Sequence, residues 1–234
     1  MLSPIVAKIA SKLPENILIK LSNKMADHYF NKYANIDING FENVNGNGKP
    51  IIFICNHLSN ADGLLLSRIL KERFDPYFVA GVKLSKDPIT NIGSKLVKTI
   101  QIKPNSADKD AITRMVKSVK EGNNLFIFPE GTRSRTGSMI EGKKGILLLS
   151  RLTKAQIVPI GIAGTEILLP ISKDGDMGGE TWHNANVTIN FGEPVVIPGR
   201  EENEEKHEYD DRCMRVIMGS IAKLLPESYR GVYK

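Results

Sequence analysis

Apolar residues along this chain fall into short runs, and their spacing switches repeatedly between every second and every third or fourth position. Proline, glycine and asparagine mark the switch points. Ser3 and Pro4 open a helical pattern, because a proline in the first turn gives up no hydrogen bond. Ile5, Val6, Ile9 and Leu13 share one face of it. Pro14 stops that helix and Glu15 opens a second, with Ile17, Leu18, Leu21 and Met25 at helical spacing among Lys20 and Lys24. Asn45-Gly46-Asn47-Gly48 predicts a turn. Beyond it the pattern alternates. Strands are expected at 51–55, 76–80, 99–103, 124–128, 156–162 and 186–191. Helices are expected at about 62–71, at 88–97, after a Ser106 cap (Ile112, Met115, Val116 and Val119 on one face), at 144–152 and at 208–225. Residues 161–182 are loop-rich and show no assignable period, and no internal repeat or low-complexity linker appears.

Strands alternating with helices predict an α/β fold: a three-layer single domain with a largely parallel central sheet, preceded by an N-terminal amphipathic two-helix segment. The boundary is expected near residue 34, giving a segment 1–34 and a domain 35–234. The lysine-bearing helices suit a lipid interface, and they suit equally well a cap over the core behind them. In sheets of this kind ligands bind beyond the carboxyl ends of the strands.

A length of 234 residues suits one domain with a buried core. The net charge of +6 is uneven: 83–151 holds fourteen Lys or Arg against six Asp or Glu, whereas 201–211 is rich in acid. Such a body points to an anionic partner or to a solvated basic surface. Nucleic acid is not expected, since no recognition motif for it is present and aromatics amount to only 6%, few for base stacking. Two cysteines, Cys55 and Cys213, make neither a disulfide framework nor a metal-ligand spacing, and a reduced cytoplasmic setting fits. No run approaches the ~18 apolar residues of a membrane span, and the N-terminus lacks the features of a secretory signal.

The candidate chemistry lies at two strand exits. In Asn56-His57-Leu58-Ser59-Asn60-Ala61-Asp62, a neutral imidazole is available as proton acceptor and a carboxylate is available to fix its tautomer. On one continuous helix that spacing would leave His57 and Asp62 roughly 140° apart. The pair therefore requires His57 on the exit loop and Asp62 in the first helical turn. Ser59 reads as a helix cap or as a hydroxyl nucleophile. Without a G-x-S-x-G elbow, direct attack by an acceptor alcohol is preferred. In Phe128-Pro129-Glu130-Gly131-Thr132-Arg133, a flexible glycine after the strand presents a guanidinium whose planar fork matches phosphate oxygens. Glu130 is expected to orient that guanidinium or to hydrogen-bond the acceptor alcohol. Arg135, Lys143 and Lys144 extend the positive field.

These two motifs together resemble the 1-acyl-glycerol-3-phosphate acyltransferase family, over about residues 51–163. NHLSNAD is similar to the family's Asn-His, four residues, Asp, and FPEGTRS is nearly its consensus. Ile157-Val158-Pro159-Ile160-Gly161 resembles its fourth block, whose strand and proline are thought to shape the acceptor pocket. The second block departs, with Phe78-Val79-Ala80 and Lys83 familiar but Lys103 standing where the family has arginine.

The resemblance implies His57 and Asp62 as catalytic residues, with Asn56, Glu130, Gly131, Thr132, Arg133, Lys103 and Lys83 binding substrate. It implies transfer of a fatty acyl group from acyl-CoA or acyl-carrier protein to the 2-hydroxyl of lysophosphatidic acid, giving phosphatidic acid in phospholipid biosynthesis. No metal or tightly bound cofactor is implied. An anionic membrane surface is the expected partner of the N-terminal helices, with the protein peripheral on the cytoplasmic face of the cell membrane. Other acceptors (glycerol-3-phosphate, lyso-ornithine lipid, other lysophospholipids) and a thioester hydrolase are the alternatives.

Overall fold

The structure is a computed structural model that describes residues 14–81, 97–103, 108–172 and 179–234. The expected helix that opens at Ser3, all but Val97 of the one expected at 88–97, and Lys83 and Ser106 lie outside the described residues. Helix α1 spans Glu15–Tyr33 and runs directly into strand β1, Ala34–Asn39. After the Asn45–Gly48 turn come β2 (Ile51–Cys55), α2 (Asn60–Lys71), β3 (Tyr77–Gly81), β4 (Thr99–Ile102) and α3 (Lys109–Lys120). Then follow β5 (Leu125–Ile127), α4 (Gly145–Thr153), β6 (Gln156–Ala163), α5 (Thr165–Leu168), β7 (Ala185–Phe191) and α6 (Lys206–Ala222).

The seven strands form one sheet in the order β1-β7-β6-β2-β5-β3-β4. Strands β6, β2, β5, β3 and β4 run parallel; β7 meets β6 antiparallel and carries β1 parallel to itself. The largely parallel α/β sheet is as the alternation predicts.

Strand β2 explains why its sequence is apolar at every position. Side chains alternate across a strand, so Ile51, Phe53 and Cys55 enter one core with α1 and α2 residues. Ile52 and Ile54 enter the other, with Met115 of α3, Ile146 of α4 and Ile217 of α6. A strand covered on both faces has no polar side to show. Each of these fully buried side chains contributes on the order of 1.5–3 kcal/mol. The site is thus mounted on a strand buried along its whole length.

Helix α2 begins two residues before the expected start, because Ser59 caps it: its side chain accepts from Ala61 N, and Asp62 reciprocates to the Ser59 backbone. Helix α3 is capped by Asp108, which accepts from Ala111 N at 3.0 Å, rather than by Ser106. Strand β1 was not expected. Its Ile36 and Ile38 alternate with Asn35, Asp37 and Asn39 at the sheet margin, a pattern too polar to announce itself. In place of a loop from 161, β6 continues to Ala163 and the chain turns at Gly164. That glycine has φ +90°, and a side chain there would collide with Asn186 O, so α5 can start only after it.

Candidate active site

The chain leaves β2 at Cys55, and the next side chain locks the exit. Asn56 is fully buried; its Nδ2 donates to Ile162 O at 2.8 Å and its Oδ1 accepts from Ile162 N at 2.9 Å. Both ends of the amide are spent on β6. Asn56 is therefore a pin that holds the loop and not the substrate contact that the motif implied.

His57 follows on the pinned loop. Its Nδ1 lies 2.8 Å from Asp62 Oδ2, and the same oxygen accepts from Leu58 N at 2.7 Å and Ser59 N at 2.8 Å. Asp62 is wholly buried in the first turn of α2, where the helix dipole favours its charge. An oxygen already accepting from two N–H groups calls for an Nδ1–H tautomer on His57, which leaves Nε2 with its lone pair. The ring is 19% exposed and stacks on Phe128, centroids 3.8 Å apart at 10°. Phe128, in turn, is braced edge-on by Phe126 at 5.0 Å. Imidazole orientation is thus set by a carboxylate at one edge and an aromatic plane on one face.

Two neighbouring nucleophile candidates are occupied elsewhere. Ser59 is fully buried, donates to Leu169 O at 2.7 Å and caps α2, so it does not face a substrate. Burial pushes the Cys55 thiol well up, with Asp62 and Glu130 adding to the shift, and it stays protonated in the core.

The second motif leaves β5. Gly131 turns the chain at φ +71°, donating to Phe128 O at 3.0 Å; a side chain there would strike the Lys143 stem. Glu130 is almost wholly buried, and does not orient Arg133. It accepts from His57 N at 3.0 Å and from Ile140 N at 3.1 Å, stitching the two motif loops together. Burial pushes its carboxyl up to about 7; the Ile140 and His57 N–H bonds oppose that rise and the charge of Asp62 adds to it. A second stitch runs from Ser134 N to His57 O, 2.7 Å.

Arg133 instead pairs with Glu180: its Nη1 donates to Oε1 at 2.6 Å, while Asn60 Nδ2 donates to Oε2 at 2.7 Å. Thr132 and Gly131 lie exposed on the rim. Lys103 directly follows the edge strand β4, three strands out from β2, or roughly 14 Å of sheet. The structure thus gathers His57, Asp62, Glu130 and Arg133, places Lys103 at the periphery, and leaves Lys83 outside the described residues. Pro159 lies inside β6, four residues before its end at Ala163, and packs near Gly192 and Leu224. It supports the strand instead of lining the site.

Phe128, Ser134 and Glu180 join the site without having been among its expected residues. The first two stand inside or beside a recognised motif. Glu180 lies in the unassigned 161–182 stretch, 47 residues from Arg133, and carried no signal.

A family model described as Acyltransferase matches residues 35–163. The chain is 27% identical over 166 residues to a chloroplastic 1-acyl-sn-glycerol-3-phosphate acyltransferase of Arabidopsis thaliana, covering 70% of this chain and 44% of that one. It is 30% identical over 191 residues to the 1-acyl-sn-glycerol-3-phosphate acyltransferase of Cocos nucifera, covering 76% and 55%. The chain therefore spans about half the length of these curated relatives. The crystal structure of the 1-acyl-sn-glycerophosphate acyltransferase PlsC from Thermotoga maritima shares the fold, with a TM-score of 0.62 at 24% identity, over 90% of this chain and 80% of that one.

Proposed function

From the premise that this chain belongs to the Acyltransferase family, we propose that it moves a fatty acyl group from an acyl thioester to the 2-hydroxyl of a 1-acyl-glycerol-3-phosphate. The observation that carries the reading is the His57–Asp62 pair, stitched through Glu130 and Ser134 to the loop that bears Arg133. One edge of the cluster accepts a proton and the other offers a guanidinium to a phosphate.

In this mechanism Arg133 holds the acceptor phosphate and directs its hydroxyl toward His57 Nε2. As the oxygen attacks the thioester carbonyl, Nε2 takes the hydroxyl proton, and Asp62 stabilises the imidazolium that results. The tetrahedral intermediate collapses by breaking the C–S bond, and the imidazolium returns the proton to the departing thiolate. The products are the diacyl glycerolipid and a free thiol, with His57 restored to its neutral state. Positioned base catalysis of this kind contributes roughly 10²–10⁴-fold. The acyl donor is acyl-CoA or acyl-carrier protein.

A membrane role is proposed for α1. Its Ile17, Leu21 and Met25 form a stripe that stays substantially exposed, at 43%, 51% and 39%, with Lys20 and Lys24 beside it. The far end of the same helix is built into the core through Ala26 and Phe30. No helix among the described residues is long and apolar enough to cross a membrane. An interfacial seat for the first turns of α1, on the cytoplasmic face of the cell membrane, would bring the site to lipid-borne acceptors.

A second acceptor is favoured by one observation. The chain is also 27% identical over 234 residues to a glycerol-3-phosphate acyltransferase of Pseudoalteromonas atlantica, covering 85% of this chain and 28% of that one. The test is thiol release from an acyl thioester with no acceptor, with 1-acyl-glycerol-3-phosphate, with glycerol-3-phosphate and with lyso-ornithine lipid. Release that needs 1-acyl-glycerol-3-phosphate is expected. Acceptor-independent release would mean a hydrolase, and release with glycerol-3-phosphate alone would move the reaction one acylation earlier.

A further inference from the structure

Glu180 belongs to neither motif, yet it touches both. Its Oε1 takes Arg133 Nη1 at 2.6 Å and its Oε2 takes Asn60 Nδ2 at 2.7 Å. Asn60 is the first residue of α2, two before Asp62. The carboxylate is therefore a strut between the element that carries the His57 partner and the loop that carries the guanidinium.

We propose that Glu180 is a positioning residue for acceptor recognition: it aims Arg133 at the acceptor phosphate and sets the distance between that phosphate and His57. The inference rests on the reading of Arg133 as the phosphate anchor. Three features of the geometry support it. First, Glu180 is the deeper partner, its side chain 2% exposed against 13% for Arg133, so it stands behind the guanidinium and not in front of it. Second, the Nη1 bond to Glu180 is the one hydrogen bond that Arg133 makes among the described residues, so within that set it uses one of five N–H groups, and the planar fork suits phosphate oxygens. Third, the chain just after Glu180 is clamped. Trp182 stacks on Tyr29 at 5.3 Å and meets Phe30 edge-on at 5.2 Å, both on α1. A carboxylate with both oxygens bonded and a neighbouring tryptophan held by aromatics is built to stay in place.

The alternative is a resident anion that occupies the phosphate seat and must be displaced. That would orphan Asn60 and empty a buried position, whereas positioning asks nothing to move. The two roles predict opposite signs for the same variant, which makes the experiment decisive.

Glu180→Gln, Arg133→Gln and the double variant would be compared with the wild-type full chain. Glycerol-3-phosphate binding would be measured by calorimetry, the KM for 1-acyl-glycerol-3-phosphate by thiol release, and folding by thermal melting. Glu180→Gln keeps the shape and one acceptor oxygen, and is expected to weaken phosphate binding and raise the acceptor KM by about tenfold, with a smaller fall in kcat. In the Arg133→Gln background the same change should add nothing, because Glu180 acts through that guanidinium. Tighter binding in Glu180→Gln would make it a competing anion and overturn the proposal. So would an unchanged KM, or a loss of equal size with and without Arg133. If Arg133→Gln itself leaves glycerol-3-phosphate binding and the acceptor KM untouched, the anchor reading falls and the inference falls with it.

Discussion

His57 Nδ1 lies 2.8 Å from Asp62 Oδ2 although the two residues are five apart in sequence. They meet because Ser59 caps α2 between them, so that His57 is still loop while Asp62 is already helix. One oxygen of Asp62 thus holds the imidazole, two backbone N–H groups and the start of the helix at once. Local folding and proposed catalysis share a single atom.

His57→Ala should lower kcat by roughly 10²–10⁴-fold while leaving the melting temperature near that of the wild type, since the ring is partly exposed and packs chiefly on Phe128. Asp62→Asn should show a comparable loss in kcat with little change in acceptor KM, because it weakens support for the imidazolium and not the anchor. Steady-state kinetics checks both, and near-normal turnover in His57→Ala would remove the general base.

Asn56→Ala should destabilise the fold by about 2–4 kcal/mol, because it leaves the buried N–H and C=O of Ile162 without partners. Asn56→Asp should be at least as damaging, as a carboxylate oxygen would then face the Ile162 carbonyl. Urea unfolding measures this. A change below ~0.5 kcal/mol would mean that the loop is held by its other bonds.

Glu130 gives a pH signature. Its carboxyl sits at about 7 in the folded chain, against an ordinary 4.5, chiefly through burial. The folded state therefore keeps a proton that the unfolded chain has released. The stabilisation from this group is complete below pH 4.5 and is lost as pH rises through about 7, up to about 3 kcal/mol in all. Glu130→Gln should flatten stability between those limits, so that wild-type stability falls relative to the variant's as pH rises from 4.5 through 7. Parallel stability curves would argue against a raised carboxyl.

Leu21→Glu and Met25→Glu should reduce sedimentation with anionic vesicles while sparing the melting temperature, because both side chains already lie substantially exposed on α1. Raising salt should weaken binding further if Lys20 and Lys24 contribute. Unchanged sedimentation of the double variant would place the membrane contact elsewhere.

The alternating sheet and the two strand-exit loops were legible in the sequence, because each is written locally. The apolar run Ile51–Cys55 is what a strand buried on both faces must be, and Ser59 ahead of Asp62 is a capping pattern three residues long. Even the need for His57 to stand off the helix followed from helical pitch alone. Tertiary structure alone decided what each polar side chain does once there. Asn56 looked like a ligand and is a pin on Ile162, 106 residues away. Glu130 looked like the partner of Arg133 and instead bonds the His57 backbone. Glu180, unremarked in the sequence, holds that guanidinium. The polar edge strand β1 became a strand only because β7 lay beside it to pair with. A hydrogen bond is chosen by proximity and desolvation after the chain has folded, and neither is a function of neighbours in sequence.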